Sequence, residues 1–599
     1  MKVLKIILFS FAALIVLVVL VAMIFIKTFD VNKYLPQITQ QAGLTINRKV
    51  TIGHANLDLS IKGFALQLNG ITISDDPQFS HENFLTLDSA YVGLDVKELL
   101  LKRSVNITQI TVTNPKISII RLPNGQLNVQ TMTPAAKPQA PTVAQAASTA
   151  SSAPQAQANP AAALPAIFVK SILVSHMQIS YEDKNTQMPL AVTIPDGYIT
   201  IDNFSLNSPF IFVVGLNAWA DAKDNIIISG HCSLDLASTA VKVSNLQIKS
   251  DLSQLDLQKI KSITPMLQNI PTWPEKLAGD LSIVVPELNA SAKGLQGLSL
   301  QISLSNGSVK LKELLSPVDH ISLQAESDLA NFTLKQMELH VGAGEIDAQA
   351  NVHGITTSPA YDFRITSKSV KVEELVDQSK APAELHGEIN ADFSGTGTSF
   401  DPQAMLANLK GDGNFSLNNG TIEKLNILKT ILGKLDVIPG LGAILQNALE
   451  TSLPANIEAE LNTDTTQLTR AEGKIHVENK VINLQNADLE SKLFTITAQG
   501  TVDFDLNTKI DVKTYLAQDL SAAMTQKAKP LQTLLDDQNR VYLPGTVSGK
   551  APSIGYHLQT DYVTKKVAVF EGSQQLQKVF SKNPEVANLL NSLLKTGTH

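Results

Sequence analysis

Side chains capable of catalysis or metal binding are scattered through this chain. Its eleven histidines include no His-Glu-x-x-His motif and no pair at ligand spacing on one predicted helix. Gly342-Ala343-Gly344 and Gly440-Leu441-Gly442 lack the third glycine of a dinucleotide fingerprint, so we interpret them as turn glycines. There is no P-loop and no Gly-x-Ser-x-Gly elbow. The sequence therefore predicts no enzyme, no cofactor and no metal site.

The cysteine content and the net charge exclude further classes of site and partner. The single cysteine, Cys232, excludes an intramolecular disulfide and a cysteine-based metal site. A net charge of -7 argues against nucleic acid as a partner, because phosphate binding needs clustered Lys and Arg. Asp503, Asp505 and Asp511 stand between apolar positions, and we interpret them as solvated rather than catalytic.

The elements that carry these side chains are predicted to be strands. Between Phe494 and Val512 apolar residues occupy even-numbered positions and polar residues lie between them, so a strand would be apolar on one face and polar on the other. The same period recurs from Leu57 onward, and helices able to cover the apolar face are scarce. The positions predicted to line this face are Leu57, Leu59, Leu66, Leu68, Val92, Leu94, Leu300, Ile302, Leu304, Phe494, Ile496, Val502, Phe504, Ile510 and Val512.

The N-terminus is predicted to be a membrane anchor. Residues 6–26 are apolar except for Ser10, and as a helix they would span roughly 30 Å, the thickness of a hydrocarbon core. Lys2 and Lys5 precede them, which places the N-terminus in the cytoplasm. A cleaved signal peptide is the alternative, but the stretch is long and no clear Ala-x-Ala site follows it. The anchor positions are Ile6, Phe11, Leu17, Val21 and Ile26.

At 599 residues the chain must form several domains or one elongated body. Asn-Gly pairs at 69–70, 124–125, 306–307 and 419–420 predict hairpin turns. Helices are predicted over residues 30–43, 255–270, 421–435, 441–449 and 584–594. We divide the chain into residues 1–29 (cytoplasmic tip and transmembrane anchor), 30–130 (N-terminal α+β module), 131–165 (Ala/Pro-rich disordered linker or loop), 166–420 (elongated β-groove), 421–450 (amphipathic helical segment), 451–565 (C-terminal β-groove) and 566–599 (C-terminal helices).

The amphipathic helix predicted over residues 421–435 allows two interpretations. Its Leu/Ile stripe could cap one end of the sheet, which is what most such helices do. Alternatively it could act as a gate or meet a membrane, since Lys424, Lys429 and Lys434 suit anionic headgroups. We favour the cap.

Several strings, in their order behind one anchor, resemble the AsmA family of Gram-negative inner-membrane proteins. The resemblance covers most of the chain, and the Ala/Pro-rich insertion departs from it. The strings include Leu57-Asp58-Leu59-Ser60, Leu68-Asn69-Gly70-Ile71, Leu87-Asp88-Ser89-Ala90-Tyr91-Val92-Gly93-Leu94-Asp95-Val96, Asn114-Pro115-Lys116-Ile117, Asn124-Gly125-Gln126-Leu127-Asn128, Gly411-Asp412-Gly413-Asn414-Phe415 and Leu543-Pro544-Gly545-Thr546-Val547-Ser548-Gly549.

The resemblance implies a mainly β fold similar to chorein-type bridge proteins. An N-terminal transmembrane helix would be followed by an elongated, bent antiparallel β-sheet that forms a hydrophobic groove, with a few amphipathic capping helices. It also implies a periplasmic body anchored in the inner membrane and a role in outer-membrane assembly and phospholipid movement. An uncovered apolar face must fold on itself, self-associate or hold lipid, because water does not tolerate it. We therefore expect phospholipid and the inner membrane as partners.

Two other functions remain open. The chain could be an assembly factor for outer-membrane proteins that lends them its sheet edge without moving lipid. It could also be an adhesin-like rod, which would need the anchor to be cleaved. About 37 strands at ~4.8 Å each give an upper limit of ~180 Å, so a protein at the outer membrane or in the periplasm is expected at the far end.

Overall fold

A computed structural model of the chain describes residues 30–60, 63–95, 106–132, 168–184, 190–219, 224–235, 240–263, 265–268, 272–291, 294–296, 298–328, 330–355, 357–379, 381–438, 441, 454–551 and 553–582. The anchor, most of the Ala/Pro-rich segment, and the helices predicted over residues 441–449 and 584–594 fall outside these ranges, except for Leu441. Within them, no helix combines the length and the apolar character needed to cross a membrane.

Strands dominate the described residues. They are β1 (Val50–Ser60), β2 (Gly63–Ser74), β3 (Asn83–Leu94), β4 (Ile107–Thr113), β5 (Lys116–Arg121), β6 (Phe168–Ser175), β7 (Gln178–Asp183), β8 (Leu190–Ile194), β9 (Gly197–Ser205), β10 (Phe210–Leu216), β11 (Ile226–Asp235), β12 (Ala240–Asp251), β13 (Lys276–Ser291), β14 (Gly294–Gln296), β15 (Ser299–Lys310), β16 (Val318–Asp328), β17 (Asn331–Val341), β18 (Gly344–His353), β19 (Ala360–Lys371), β20 (Glu384–Thr398), β21 (Lys410–Glu423), β22 (Thr466–Leu468), β23 (Arg470–Glu478), β24 (Val481–Glu490), β25 (Phe494–Asp503), β26 (Asn507–Leu516), β27 (Tyr542–Lys550) and β28 (Ser553–Leu558).

Among the described residues helices are fewer than strands, and most of them are short. They are α1 (Leu35–Ile46), α2 (Leu257–Lys261), α3 (Pro265–Gln268), α4 (Val372–Leu375), α5 (Pro402–Asn408), α6 (Ile427–Gly433), α7 (Ala455–Leu461), α8 (Gln518–Lys527) and α9 (Thr560–Lys582). Short 3-10 helices cover Val31–Tyr34, Asn128–Thr131, Leu252–Gln254 and Lys529–Leu534. The mainly β fold is thus confirmed.

The chain divides into two compact units, Met1–Leu304 and Ser305–His599. In the N-terminal unit, β1, β2 and β3 pair antiparallel in sequence order, and β9 to β13 do the same. Two long strands between them are each broken once. The first consists of β4 and β5, broken at Asn114 and Pro115, and the second of β6 and β7, broken at His176, with Asn114 and His176 in the left-handed region.

These two broken strands run parallel, β4 beside β6 and β5 beside β7. The sheet predicted to be antiparallel therefore contains one parallel joint, which corrects that part of the expectation. Parallel neighbours need a connection of a dozen or more residues, and the chain between Arg121 and Phe168 supplies it. The Ala/Pro-rich segment thus lies on the connection between two paired strands of one unit.

In the C-terminal unit, antiparallel pairing follows sequence order from β16 to β28, except that β21 pairs with both β22 and β23. Its main core lies at the last strands, where helices α6 and α8 and the start of α9 pack on the sheet. Leu516, Leu520, Met524 and Leu543 are fully buried there.

Three of the four predicted Asn-Gly hairpin turns are wrong. Gly70, Asn306 and Asn419 have positive φ values of 63°, 53° and 52°, yet each lies inside a continuous strand. Only the pair Asn124-Gly125 sits in a tight turn, closed by the Gly125 N–H that donates to the Leu122 carbonyl oxygen. Left-handed residues also serve mid-strand bends and bulges, which local sequence does not distinguish from turns.

The helix predictions need shorter or shifted bounds. The predicted helix over residues 30–43 is present, with the Asp30 side chain accepting from Asn32 N, but it continues to Ile46. In the described part of the segment 255–270, the α-helices are α2 and α3. The helix predicted from Thr421 starts at Ile427, because Thr421 and Ile422 pair with β20 and β22 as part of β21.

Candidate functional site

One face of the N-terminal unit carries a row of apolar side chains that lie directly opposite one another across ten strands. Successive members are cross-strand partners, so the row runs perpendicular to the strands for about 43 Å at ~4.8 Å per strand. None of its members is charged. This aliphatic row is Ala55, Leu68, Ala90, Val112, Val174, Ile199, Val214, Ile228, Ile248 and Ile283.

A second row lies beside it on the same face, because each member is two residues from its neighbour in the aliphatic row. It contains three of the predicted positions, Leu57, Leu66 and Val92, and continues through Ile110, Ile172, Ile201 and Phe212. The predicted positions Leu59 and Leu94 each lie two residues beyond the second row on their strands, and both are cross-strand partners of Phe64.

The opposite face of these strands is mostly polar. The cross-strand set that alternates with the aliphatic row is Asn56, Gln67, Tyr91, Thr111, Leu173, Thr200, Val213, Ser229, Gln247 and Val284. The two-faced sheet predicted from the period of two is therefore present in this unit.

The C-terminal unit repeats this arrangement across twelve strands. Its apolar partners, together with two glycines, extend about 53 Å along the sheet at ~4.8 Å per strand. Again no member is charged. This central row is Leu323, Met337, Ala348, Ile365, Phe393, Gly413, Ile475, Leu484, Gly500, Ile510, Val547 and Tyr556.

The reverse side of the C-terminal sheet is polar and carries ion pairs. A row of direct partners there is Gln349, Arg364, Ser394, Asp412, His476, Asn483, Thr501, Lys509 and Ser548. The Lys410 ammonium lies 2.6 Å from Glu478 and its hydrogen bond holds the pKa of that carboxyl below its usual range. Hydrogen bonding to Asp392 raises the pKa of the Arg364 guanidinium. The charged side chains of this face thus pair with one another across neighbouring strands.

Aromatic rings lie over glycines on the apolar face of the C-terminal unit. The Phe363 ring faces its cross-strand partner Gly395 and the Phe415 ring faces Gly473, so closely that a Cβ at either glycine would come within 3 Å of ring carbons. Phe393 covers Gly413 in the same way. A ring that lies over a bare backbone projects less from the sheet, so glycine keeps this part of the face level.

The aliphatic row and the central row remain partly open to solvent, except at the last strands of the C-terminal unit, where Ile510, Val547 and Tyr556 pack against the main core. In the aliphatic row every side chain is half-buried except Ala55, which is buried. In the central row only Ala348 is buried, and the Ile365 residue is 42% exposed. A dry protein core would leave large aliphatic side chains almost fully buried. The rows thus present an apolar surface that can hold flexible hydrocarbon.

Helices cover the first edge of the N-terminal sheet. Val31 and Leu35 form a small core with Ala55, and the predicted lining residues Leu57, Leu66 and Leu68 pack partly against it. Leu300, Ile302 and Leu304 lie half-buried on one face of β15, with exposed polar residues between them.

The last strands of the C-terminal unit are closed, which corrects the prediction for three residues. Phe494, Ile496 and Val512 are only 3%, 7% and 7% exposed because helices pack on them in the main core. Ile510 is half-buried against the same core, and Val502 is half-buried further along. Phe504 lies in the turn between β25 and β26.

The stripe of α6 belongs to this closed region. Leu428, Ile431 and Leu432 are buried in the main core, whereas Lys429 and Lys434 are exposed. Asn426 caps the helix by accepting from Lys429 N at 2.8 Å. The apolar stripe thus packs on the sheet, as the capping interpretation expects.

Most members of the aliphatic row and the central row were not among the predicted positions. The sequence did contain a signal for them, since apolar and polar residues alternate within each strand, for instance around Ile199 and Ile201. What the sequence could not supply was the register that aligns one strand with the next.

These features define a class of protein: a mainly β chain whose long sheets are apolar on one face and polar on the other. The chain belongs to the AsmA family, whose family model matches residues 1–295 and 285–487. This family is associated with the bacterial envelope. Neither the curated proteins nor the solved structures include a match to the chain.

Proposed function

We propose that this protein is a non-enzymatic conduit that carries phospholipids along its apolar sheet face between the inner and outer membranes. Acyl chains would lie on the aliphatic row and the central row while headgroups stay in water. The conduit would support outer-membrane assembly and lipid homeostasis.

The observation that carries the proposal is the continuity of the two rows. Ten and twelve consecutive strands place uncharged side chains directly opposite one another, and most of these side chains stay partly exposed. Large exposed apolar surfaces mark a binding partner, and a strip this long and narrow fits hydrocarbon chains better than a folded protein.

The energetics favour movement over tight capture. Burying each CH₂ is worth roughly 0.8 kcal/mol wherever the surface is uniformly apolar. A chain that advances by one strand loses and regains nearly the same contacts, so the barriers along the row are low. Uniform contacts also give little selectivity between acyl chains.

The position in the envelope is part of the same proposal. Residues 1–29 would form a single-pass anchor with a cytoplasmic N-terminus, and the bulk of the chain would lie in the periplasm. A protein of the outer membrane or periplasm would complete the path at the far end.

Native mass spectrometry of gently extracted full-length protein tests this function. Phospholipids held only around the anchor should be lost on mild activation. Several further phospholipids that stay bound to each chain would support the conduit. A trapped outer-membrane protein with no bound lipid would instead support the assembly-factor function and overturn the conduit.

A further inference from the structure

Two histidines and an aspartate meet on the polar face of the C-terminal unit, at one end of β16 and β17. Asp319 lies directly across from His340 in the ladder. The His320 and His340 rings are 5.0 Å apart between centroids, and His320 Nδ1 lies 2.9 Å from Asp319 Oδ1. The Glu338 carboxylate reaches to 3.6 Å from His340 Nε2.

A local distortion of the backbone brings these groups together. Successive residues of a regular strand point to opposite faces, so Asp319 and His320 should face apart. Instead the register shifts between Asp319 and Ser322, and His320 adopts a left-handed φ of 50°. A bulge of this kind re-aims a side chain, and here it turns the His320 ring toward His340.

The donor set matches a borderline divalent metal. Ligand atoms of Asp319, His320 and His340 all lie within 4.8 Å of one another. With zinc bonds of about 2.0–2.1 Å, two tetrahedral ligands lie about 3.3 Å apart, so the widest separation would have to shorten by at most about 1.5 Å. The 2.9 Å between His320 Nδ1 and Asp319 Oδ1 needs no shortening. All three side chains are at least about a third exposed, so rotation about their side-chain torsions can provide that closure.

We propose that Asp319, His320 and His340 bind a divalent cation of the zinc class, with Glu338 positioned to serve as a fourth ligand. Two imidazoles with one or two carboxylates suit zinc, nickel and copper better than calcium or magnesium, which prefer oxygen alone. The bound ion would join β16 to β17 on the face opposite the central row. This site does not depend on lipid binding.

Zinc titration of the full-length chain tests the site. The protein would carry a tag without histidines, be stripped with EDTA and be titrated with ZnCl₂ by isothermal calorimetry. We expect one tight zinc per chain, weakened at least tenfold in His320→Ala, in His340→Ala and in Asp319→Asn. The controls are His353→Ala, on the neighbouring strand β18, and His386→Ala, which lies between Glu384 and Glu423.

Copper supplies a second readout that a structural role would not change. With one equivalent of Cu²⁺, electron paramagnetic resonance of the wild type should show coupling to two imidazole nitrogens, and each single histidine variant should show one. Equal zinc affinity in the wild type and in His320→Ala/His340→Ala, or an equal loss in His386→Ala, would overturn the site.

Discussion

A lysine placed on the central row should block lipid locally without unfolding the sheet. Ile365→Lys puts an ammonium on the apolar face at a residue that is already 42% exposed. Its neighbour supplies a matched control: Thr366→Lys makes the same change on the polar face, between its direct partners Asp347 and Asp392. The two variants place the same ammonium on opposite faces of β19, at adjacent residues.

The size of the effect follows from strand width. About four methylenes of an extended acyl chain pass over one strand of ~4.8 Å, and at roughly 0.8 kcal/mol each their contacts are worth about 3.2 kcal/mol. Loss of these contacts corresponds to about a 200-fold drop in local occupancy. Fold stability should change much less, by about 1 kcal/mol, because full burial of isoleucine is worth only about 1.5–3 kcal/mol and this residue is partly exposed.

Photo-crosslinking reports the local occupancy. A benzoylphenylalanine at Met337, two strands away in the same row, would be introduced into the wild type and both lysine variants. Phospholipid crosslinked at Met337 should fall at least tenfold in Ile365→Lys and less than twofold in Thr366→Lys. Equal crosslinking in the two variants, with both folded by circular dichroism, would refute the assignment of this face to lipid.

Three further predictions concern stability. Gly395→Val should lower the free energy of unfolding in urea by about 1–3 kcal/mol, because the new Cβ would lie 2.9 Å from the Phe363 ring. Gly433→Ala is the control and should not destabilise, since nothing lies within 4 Å of a Cβ at Gly433. Equal effects of the two substitutions would contradict the packing of rings over glycines. Leu520→Ala should lower the free energy of unfolding by about 2–5 kcal/mol, because Leu520 is fully buried in the main core. Val569→Ala is the control and should change it by no more than about 0.5 kcal/mol, since Val569 is 69% exposed. A Leu520→Ala variant as stable as the wild type would contradict the closed core. Tyr556→Phe should be neutral or stabilising by up to about 1 kcal/mol near pH 7, because the buried hydroxyl has no hydrogen-bond partner among the described residues. Burial raises the pKa of Tyr556 from 10.0 to about 12. Because the unfolded chain releases this proton at lower pH than the folded chain, the stability of the wild type falls between those two pH values. The fall should be shallower in Tyr556→Phe, and an identical pH profile of stability in the two proteins would refute the burial of the hydroxyl.

Alternation predicted which residues share a face, because the period of a strand is a local property. Leu57 with Leu59, and Ile510 with Val512, lie as their spacing requires. Whether a face is open depends on what the rest of the chain packs against it. Phe494 and Ile496 alternate like Ile199 and Ile201, yet only the first pair is covered by helices.

Two other wrong predictions also arise because contacts between distant parts of the chain decide the structure. The segment from Thr421 has helical spacing, but pairing of Thr421 with both β20 and β22 outweighs that preference. The parallel joint between β4 and β6 was also hidden, because no local pattern states which distant strand a chain returns to. The site around His320 depends on a bulge and on the pairing of Asp319 with His340, 21 positions away, so spacing along the chain could not reveal it.

Site-specific crosslinking on adjacent residues of β9 tests the central claim most directly. Ile199 belongs to the aliphatic row, while Thr200 lies on the opposite face of the same strand. With a photoreactive residue at one or the other position in cells labelled with radioactive phosphate, the account predicts a phospholipid adduct at Ile199 at least tenfold above that at Thr200. Equal labelling at both positions, or none at Ile199, would contradict it.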